Sequence, residues 1–208
     1  MENTPYLYDP LLRVLGQQAH WLDLRHRKTL AWMMGGLLHS SSLSLCAWAP
    51  YVVSRARSSH STVRRFRRWL ANDKIEGHSL YGPLMQRALV GWVEKTLSVA
   101  LETSLWWDTY CRVRVCVGYR GRAVPLVWGV IEHGSAMVAS DVYKELLDNA
   151  ATLVPWSCKV VFLADRGLAE TELRRHLRRL GWHWRIRIKS NCWLDRCGHA
   201  ALQVGDVW

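Results

Sequence analysis

The hydrophobic period of this chain changes near Ser98, and that change limits the folds it can adopt. Before Ser98, apolar residues such as Met33 and Leu37 recur every three or four positions, which is typical of amphipathic helices. After it, apolar and polar residues alternate, as in the segment Tyr110–Val117, which is typical of strands with one buried face. We therefore expect a helical N-terminal domain at residues 1–95, followed by a domain built on a β-sheet.

The second half of the chain contains seven segments whose patterns predict regular structure. Their order is three strands, a helix, a strand, a helix and a last strand. The strands are predicted at residues 98–103, 110–117, 123–131, 159–164 and 182–189, and the helices at 140–153 and 167–180. This order suits the α/β class, with a mixed five-stranded sheet in the strand order 3-2-1-4-5 flanked by helices, the ribonuclease-H-like arrangement. We expect this domain to occupy residues 96–191.

Positive charge is the second strong feature of the sequence. Lys and Arg outnumber Asp and Glu by 28 to 17, which gives a formal net charge of +11. A charge of this sign and size attracts polyanions, so nucleic acid is the partner we expect. A generic basic surface without a specific partner is the alternative.

Much of this charge lies in the segment 55–75, where Ser61 or Thr62 is expected to cap a helix. The inward-facing residues of that helix would be Val63, Phe66, Trp69 and Leu70. Six arginines occur here without an acid among them: Arg55, Arg57, Arg64, Arg65, Arg67 and Arg68. Such a cationic strip binds DNA phosphates without reading base sequence. The alternative is a solvated helix face.

Cysteine usage and one uncharged run bear on where the protein works. The six cysteines form no CxxC motif and follow no secretory signal, so we expect reduced thiols and a cytoplasmic protein. Cys192, Cys197 and His199 suggest zinc, but a second pair of ligands is missing. The run 29–53 has no charged residue, yet its glycines, serines and Pro50 suit two soluble helices better than a membrane span.

Asp165 is the first candidate for chemistry. It follows the most hydrophobic predicted strand and precedes a predicted helix, in the sequence FLADRG. Ligands bind at the carboxyl ends of strands in open α/β sheets. The alternative is that Asp165 only caps the helix that follows.

Glu102 ends the first predicted strand, in the sequence VALETS. If that strand lies beside the strand 159–164, the carboxylates of Glu102 and Asp165 are one strand spacing apart, about 5 Å. Clustered carboxylates of this kind hold the two Mg²⁺ ions of phosphodiester-cleaving sites. Without that pairing, Glu102 is an ordinary strand-end acid.

Several sequence segments together resemble one family. They are ALETSLWWDTYCRVRV, GRAVPLVWGVIEHGS, VVFLADRGLAETEL and the GW.W.IRIK strand, preceded by RRFRRWLAND. The stretch from Val99 to Asn191 resembles the DDE transposases of bacterial insertion sequences, in the IS-four, Tn-five-like group. The resemblance implies a ribonuclease-H-like core after a helical DNA-binding domain, and a β-rich insertion that would begin in residues 192–208. It also implies Mg²⁺-dependent (or Mn²⁺-dependent) cleavage and strand transfer of element-end DNA, with Asp165 and Glu102 as catalytic, metal-binding acids.

Two features depart from the family pattern. The family's first acid is normally Asp, and Glu102 is longer by one methylene. Asp108 is a candidate substitute, although its place in the predicted turn Trp106–Thr109 favours an ordinary turn acid. The family's third acid is a Glu in a Tyr-Arg-Glu-Lys signature, and no later residue matches it, so we expect a C-terminally truncated chain that is inactive alone. Asp195 and Asp206 are then surface acids.

The last predicted strand is basic on one side. Arg185, Arg187 and Lys189 alternate with apolar residues, so they share one face of the strand. That face is suited to a DNA backbone, and the alternative is an edge strand that uses charge to avoid aggregation.

These features lead to one expected function and two alternatives. We expect a DDE transposase that acts on DNA, with a second copy or a full-length transposase as protein partner and no membrane association. The first alternative is a non-catalytic DNA-binding protein that regulates or inhibits transposition. The second is a metal-dependent nuclease of the same fold that completes its site with another acid.

Overall fold

The computed structural model describes residues 6–18, 23–53, 58–92, 95–194 and 202–204. The chain divides into two compact units, Met1–Leu84 and Met85–Trp208. The first unit is helical and the second contains the sheet. The predicted α/β class, with helices first and a sheet after them, is confirmed.

The α-helices before the sheet are α1 (Tyr8–Gln18), α2 (Leu24–Ser40), α3 (Leu45–Trp48), α4 (Ser59–Leu70) and α5 (Gly77–Leu89). The first four surround a small aromatic core. Trp32, Trp48 and Phe66 are buried together, and the ring of Tyr8 stacks on that of Trp32 at a centroid distance of 3.8 Å. No helix within the described ranges is long and apolar enough to cross a membrane.

A close approach between α2 and α3 depends on Gly36. A Cβ atom on Gly36 would lie only 2.5 Å from the Cβ of Trp48, a distance that real side chains do not tolerate. Gly36 therefore lets Trp48 reach the core, where its indole N–H donates to the Ser42 carbonyl at 2.6 Å.

The helix α4 begins earlier than the sequence predicts. Its N-cap is Ser58, whose hydroxyl accepts a hydrogen bond from the backbone N–H of Ser61 at 3.4 Å. The prediction of Ser61 or Thr62 as the cap is wrong, because both already lie inside the helix and Thr62 is buried. Phe66 is fully buried as predicted, but Leu70 is 56% exposed, so the inward face is narrower than predicted.

The sheet unit is a mixed five-stranded sheet with helices on one face. Its elements are β1 (Thr96–Trp106), β2 (Tyr110–Tyr119), β3 (Arg122–Glu132), α6 (Ser140–Leu153), β4 (Lys159–Ala164), α7 (Thr171–Arg179) and β5 (His183–Ile186). The strand order β3-β2-β1-β4-β5 confirms the predicted order. The first three strands form an antiparallel meander, whereas β4 runs parallel to both β1 and β5. A separate antiparallel pair follows, β6 (Trp193–Leu194) and β7 (Leu202–Gln203).

The hairpin signal between the second and third strands is confirmed. Tyr119 pairs with Arg122, and Arg120 and Gly121 form the two-residue turn between them. Both turn residues have positive φ, 47° and 73°, as turns that match the twist of the strands require.

Two elements around Asp165 differ from prediction. The helix predicted at 167–180 is a 3₁₀ turn, Arg166–Leu168, followed by α7. The strand predicted at 182–189 ends at Ile186. It ends there because β4 ends at Ala164, whose carbonyl accepts the last ladder hydrogen bond from the N–H of Arg187 at 3.1 Å.

One face of the sheet is covered by α6 and α7, which pack on β2, β3 and β5. Val99, Val115 and Phe162 are fully buried on this face. The burial of each side chain contributes about 2 kcal/mol to the stability of the folded state. A Cβ on Gly129 of β3 would lie 3.9 Å from Leu146 of α6. Gly129 therefore lies on the face of the sheet that α6 covers. Because side chains alternate along a strand, the intervening residues lie on the opposite face.

Candidate functional site

Asp165 lies on the face opposite the helices, at the carboxyl end of β4. Its extended backbone (φ −80°, ψ 169°) prolongs the strand by one residue. Asp165 is the N-cap residue of the 3₁₀ turn Arg166–Leu168, but its carboxylate makes no capping hydrogen bond. The side chain is 69% exposed, and its ion-pair partner among the described residues is Arg187, whose Nη1 atom lies 3.8 Å from Oδ1. A largely free carboxylate at a strand end is what a ligand-binding acid requires.

Glu102 lies on the same face, within β1. It stands directly opposite Arg114 of β2 in the antiparallel register. Its Oε1 atom lies 3.0 Å from Nη2 of Arg114 and accepts a weak hydrogen bond from Sγ of Cys116 at 3.6 Å. Unlike Asp165, Glu102 therefore already has a cationic partner within the sheet.

The two acids and their arginines form a row across four strands. The register of β1 with β4 pairs Ala100 with Leu163, and two further residues along each strand bring Glu102 beside Asp165. The register of β4 with β5 pairs Ala164 with Ile186, and one further residue brings Asp165 beside Arg187. We call Arg114, Glu102, Asp165 and Arg187 the charge row. Adjacent members belong to strands about 4.8 Å apart, so the predicted neighbourhood of the two acids is present in the register.

The charge row does not form a complete metal site as it stands. A divalent cation such as Mg²⁺ takes six oxygen ligands, several of them from carboxylates or water. Across the described part of the chain, no group of three His, Cys, Asp or Glu side chains is placed to hold a metal ion. The row supplies two carboxylates, and Arg114 already neutralises one of them.

Asp108 does not join the charge row. It lies in the turn between β1 and β2, with positive φ of 52°, and the N–H of Thr109 closes this turn on the Trp106 carbonyl at 3.1 Å. A Cβ on Gly134 would lie 3.0 Å from the Asp108 carbonyl oxygen, so the loop packs on the Asp108 backbone. The prediction of a turn acid is confirmed.

The alternation of Tyr110–Val117 predicts that Arg112, Arg114 and Cys116 share one face of their strand, but sequence reasoning did not place them beside Glu102. Arg112 donates from Nε to the Ser104 hydroxyl at 3.2 Å, two residue pairs along the register from Glu102 and Arg114. Cys116 is buried, and its burial, together with the nearby Glu102 carboxylate, raises the pKa of its thiol to about 11. They lie beside Glu102 through the register set by the turn before Tyr110, for which the sequence carries no signal.

The arginines of α4 divide into two flanks. Arg64 and Arg67 lie on one exposed flank of the helix, while Arg65 and Arg68 line a cleft of about 670 Å³. The cleft lies between α4 and the first turns of α2, which contribute Arg25, His26 and Lys28. Arg55 and Arg57 lie outside the described residues.

The cleft remains positively charged because its acid is already engaged. Asp23 caps α2 by accepting from the backbone N–H of Arg25 at 2.7 Å, and Arg25 Nε lies 2.8 Å from its other oxygen. These hydrogen bonds, the backbone bond first, hold the pKa of Asp23 below its usual range. Lys28, Arg65 and Arg68 make no ion pair within the ranges that the structure describes, and all three are exposed.

Arg185 and Arg187 lie on the face of the charge row, and Lys189 follows beyond the end of the last strand. Arg185 stands opposite Leu163 of β4 and is exposed, as are Arg187 and Lys189 beyond the end of β5. β5 is also an edge strand of the five-stranded sheet. Both interpretations of its charge, DNA contact and protection of an edge, fit this position.

Comparisons with known proteins add no relative to these observations. No protein-family model matches the chain, and no curated protein matches it. The charge row and the basic cleft are therefore the two features on which a function rests.

Proposed function

We propose that this protein is a DNA-binding protein of the DDE transposase type, which binds element-end DNA through its helical unit. The observation that carries the proposal is α4, a helix with arginines on both exposed flanks and no acid between Ser59 and Leu70. Cations on a rigid helix neutralise backbone phosphates and release counterions. The free cations of the adjoining cleft extend the same surface.

The sheet unit supports the transposase part of the proposal. We assign it to the ribonuclease-H-like arrangement on its mixed strand directions, its order and the acid at the end of β4. In this assignment Glu102 and Asp165 are the first and second acids available to Mg²⁺ or Mn²⁺. When bound, such an ion would polarise the scissile phosphate. Arg185, Arg187 and Lys189 would then support DNA on the open face.

The test of DNA binding is its dependence on salt and on the α4 arginines. Binding to a duplex that carries the element end is measured by fluorescence anisotropy between about 50 and 200 mM salt. We expect the logarithm of the DNA association constant to fall linearly with the logarithm of the salt concentration. A variant with Arg64, Arg65, Arg67 and Arg68 changed to Ala should bind at least about tenfold more weakly, with a slope smaller by about 3.

The matched control removes four positive charges elsewhere. Arg120, Arg122, Arg174 and Arg175 are exposed residues of the sheet unit, and their change to Ala should alter affinity much less. An equal loss of DNA affinity in the two variants, or DNA binding that does not depend on salt concentration, would contradict the assignment of α4 as the DNA contact. Circular dichroism verifies that both variants keep their secondary structure.

The non-catalytic alternative is favoured by one specific observation. Glu102 is ion-paired with Arg114, and the described residues offer no third metal ligand. A regulator of this kind would bind element ends without nicking them in Mg²⁺, and an excess of it would slow an active transposase on the same DNA. Nicking that disappears in Asp165→Asn would instead favour the enzyme.

A further inference from the structure

The antiparallel meander of β1, β2 and β3 extends beyond the carboxyl end of β4. The register of β1 with β4 ends at Ala100 and Leu163, whereas β1 continues to Trp106 and stays paired with β2 as far as Tyr110. Trp106 follows Glu102 by four residues, which is about 13 Å along the strand. The end of the meander is therefore a surface separate from the charge row, although both lie on the open face of the sheet.

Two aromatic rings are exposed on this surface. Trp106 and Tyr110 stand directly opposite each other in the register of β1 and β2, and they are 46% and 40% exposed. Directly opposed residues of an antiparallel pair have Cβ atoms about 5 Å apart, so the two rings are neighbours. Val130 of β3 is 52% exposed beside them. Neither ring is packed into the core.

A guanidinium group covers one side of the Trp106 ring. The Cζ atom of Arg112 lies 4.8 Å from the centroid of this ring, and its Nε donates to the Ser104 hydroxyl at 3.2 Å. Because Ser104 is neutral, this hydrogen bond leaves the positive charge of Arg112 available to an anion. Glu132 stands on the other side of Tyr110, so an anion is favoured on the Arg112 side. We call Trp106, Tyr110 and Arg112 the aromatic platform.

The aromatic platform matches the chemistry of an unpaired nucleotide. Bases stack on exposed aromatic rings and on the planes of guanidinium groups, and a cation beside the ring binds the adjoining phosphate. An exposed aliphatic patch would suit a protein partner, whereas rings joined to a free cation, in a chain of net charge +11, favour a polyanion. In a duplex the faces of the bases are covered by their neighbours, so stacking on the protein requires an unpaired base.

We propose that the aromatic platform binds single-stranded DNA, with an unpaired base stacked on Trp106 or Tyr110 and its phosphate beside Arg112. This site lies in the sheet unit and goes beyond the duplex contact proposed for α4. It rests on the proposed function only for the choice of DNA over RNA. The platform reads the presence of an unpaired base and not its identity, because every base has a face that stacks.

The experiment compares two fluorescently labelled oligonucleotides with the full chain. One is a thymidine oligomer of about 12 nucleotides, and the other is its abasic counterpart, which has the same phosphates but no bases. Phosphate contacts anywhere on the protein contribute equally to both, so they cancel in the ratio of the two affinities. We expect wild type to bind the thymidine oligomer about tenfold more tightly, the factor that stacking of one base supplies.

Three variants test whether the rings cause this ratio. Changing Trp106 and Tyr110 together to Leu keeps apolar side chains but removes the rings, so the ratio should fall to about one. Changing both residues to Phe keeps rings and should keep most of the ratio. Trp156→Leu is the control, because Trp156 is 97% exposed and lies before the start of β4; its ratio should equal that of wild type. Circular dichroism verifies the fold of each variant.

Several results would overturn the proposal. They are a ratio of about one in wild type, a ratio that survives in the Leu variant, and an equal loss in Trp156→Leu. Self-association that the Leu variant loses, with a ratio of about one in wild type, would make the platform a contact between two copies. Tighter binding of a uridine oligomer would overturn the choice of DNA. Because phosphate contacts cancel in the ratio, failure of α4 to bind duplex leaves this result untouched, and failure here leaves the α4 result untouched.

Discussion

The Nη2 atom of Arg114 lies 3.0 Å from Oε1 of Glu102, on the neighbouring antiparallel strand. The two residues are directly opposed in the register, so the backbone of the sheet brings them together. The pair occupies Glu102, because a carboxylate that accepts a hydrogen bond from a guanidinium is less available to a competing cation.

The energetic coupling of this pair can be measured in a double-mutant cycle. Glu102→Gln, Arg114→Gln and the double variant are unfolded with urea. We expect a coupling free energy of about 0.5–1 kcal/mol, since the pair is cross-strand but partly exposed to solvent. Glu172 and Arg175, a more exposed helical pair, provide a control cycle with an expected coupling of about 0.3 kcal/mol. A Glu102–Arg114 coupling no larger than the control value would show that the sheet does not hold the pair.

The thiol of Cys116 should resist alkylation in the folded protein. Its side chain is buried, and burial together with Glu102 raises its pKa to about 11, so roughly one molecule in a thousand carries the reactive thiolate at pH 8. Iodoacetamide followed by peptide mass spectrometry should modify the exposed Cys46 first and Cys116 only after unfolding. Comparable rates at the two cysteines would contradict this placement of Cys116.

The same raised pKa makes stability depend on alkaline pH. In the unfolded chain the thiol titrates near its ordinary pKa of about 8.5. A group whose pKa is raised by folding stabilises the folded state fully at pH values below its pKa in the unfolded chain. This stabilisation is lost as the pH rises through the pKa of the folded state, here about 11. The free energy of unfolding, measured with urea, should therefore fall between about pH 8.5 and 11. In Cys116→Ala the free energy of unfolding should fall less steeply over this pH range. A fall as steep as that of the wild type would show that Cys116 does not cause it.

The order of the strands and the place of Asp165 could be predicted from sequence because both depend on local patterns. The apolar run before Asp165 and the alternation after Ser98 fix the type and sequence of elements. α6 and β4 begin and end at the predicted residues. Pro155 beyond the end of α6 is one such local signal.

The partner of Glu102 could not be predicted in the same way, because it depends on register. A shift of one residue between β1 and β2 would place Glu102 opposite a valine of the buried face. The register is set by the turn before Tyr110, where Trp107 and Asp108 have φ values of 51° and 52°. Non-glycine residues rarely adopt this conformation, so residue preferences gave no signal for it.

The strain in that turn can be relieved by substitution. Trp107 has a φ of 51° and a side chain that is 86% exposed, so Trp107→Gly removes backbone strain and little packing. We expect the free energy of unfolding to rise by about 0.5–1 kcal/mol. Trp156→Gly is the control, because Trp156 is 97% exposed and has no positive φ. A stability gain in the control, or a loss in Trp107→Gly, would argue against strain at this turn.

The two flanks of α4 should contribute unequally to DNA binding, although each carries two arginines. Arg65 and Arg68 line the cleft together with Lys28, so a phosphate bound there meets several cations at once, whereas Arg64 and Arg67 face open solvent. The double variant of Arg65 and Arg68 to Ala should therefore lose about five- to tenfold more affinity than the double variant of Arg64 and Arg67 to Ala. Anisotropy titrations at one fixed salt concentration compare them, and the net charge of the two variants is identical. Equal losses would mean that α4 acts through its total charge and that the cleft has no special part in holding DNA.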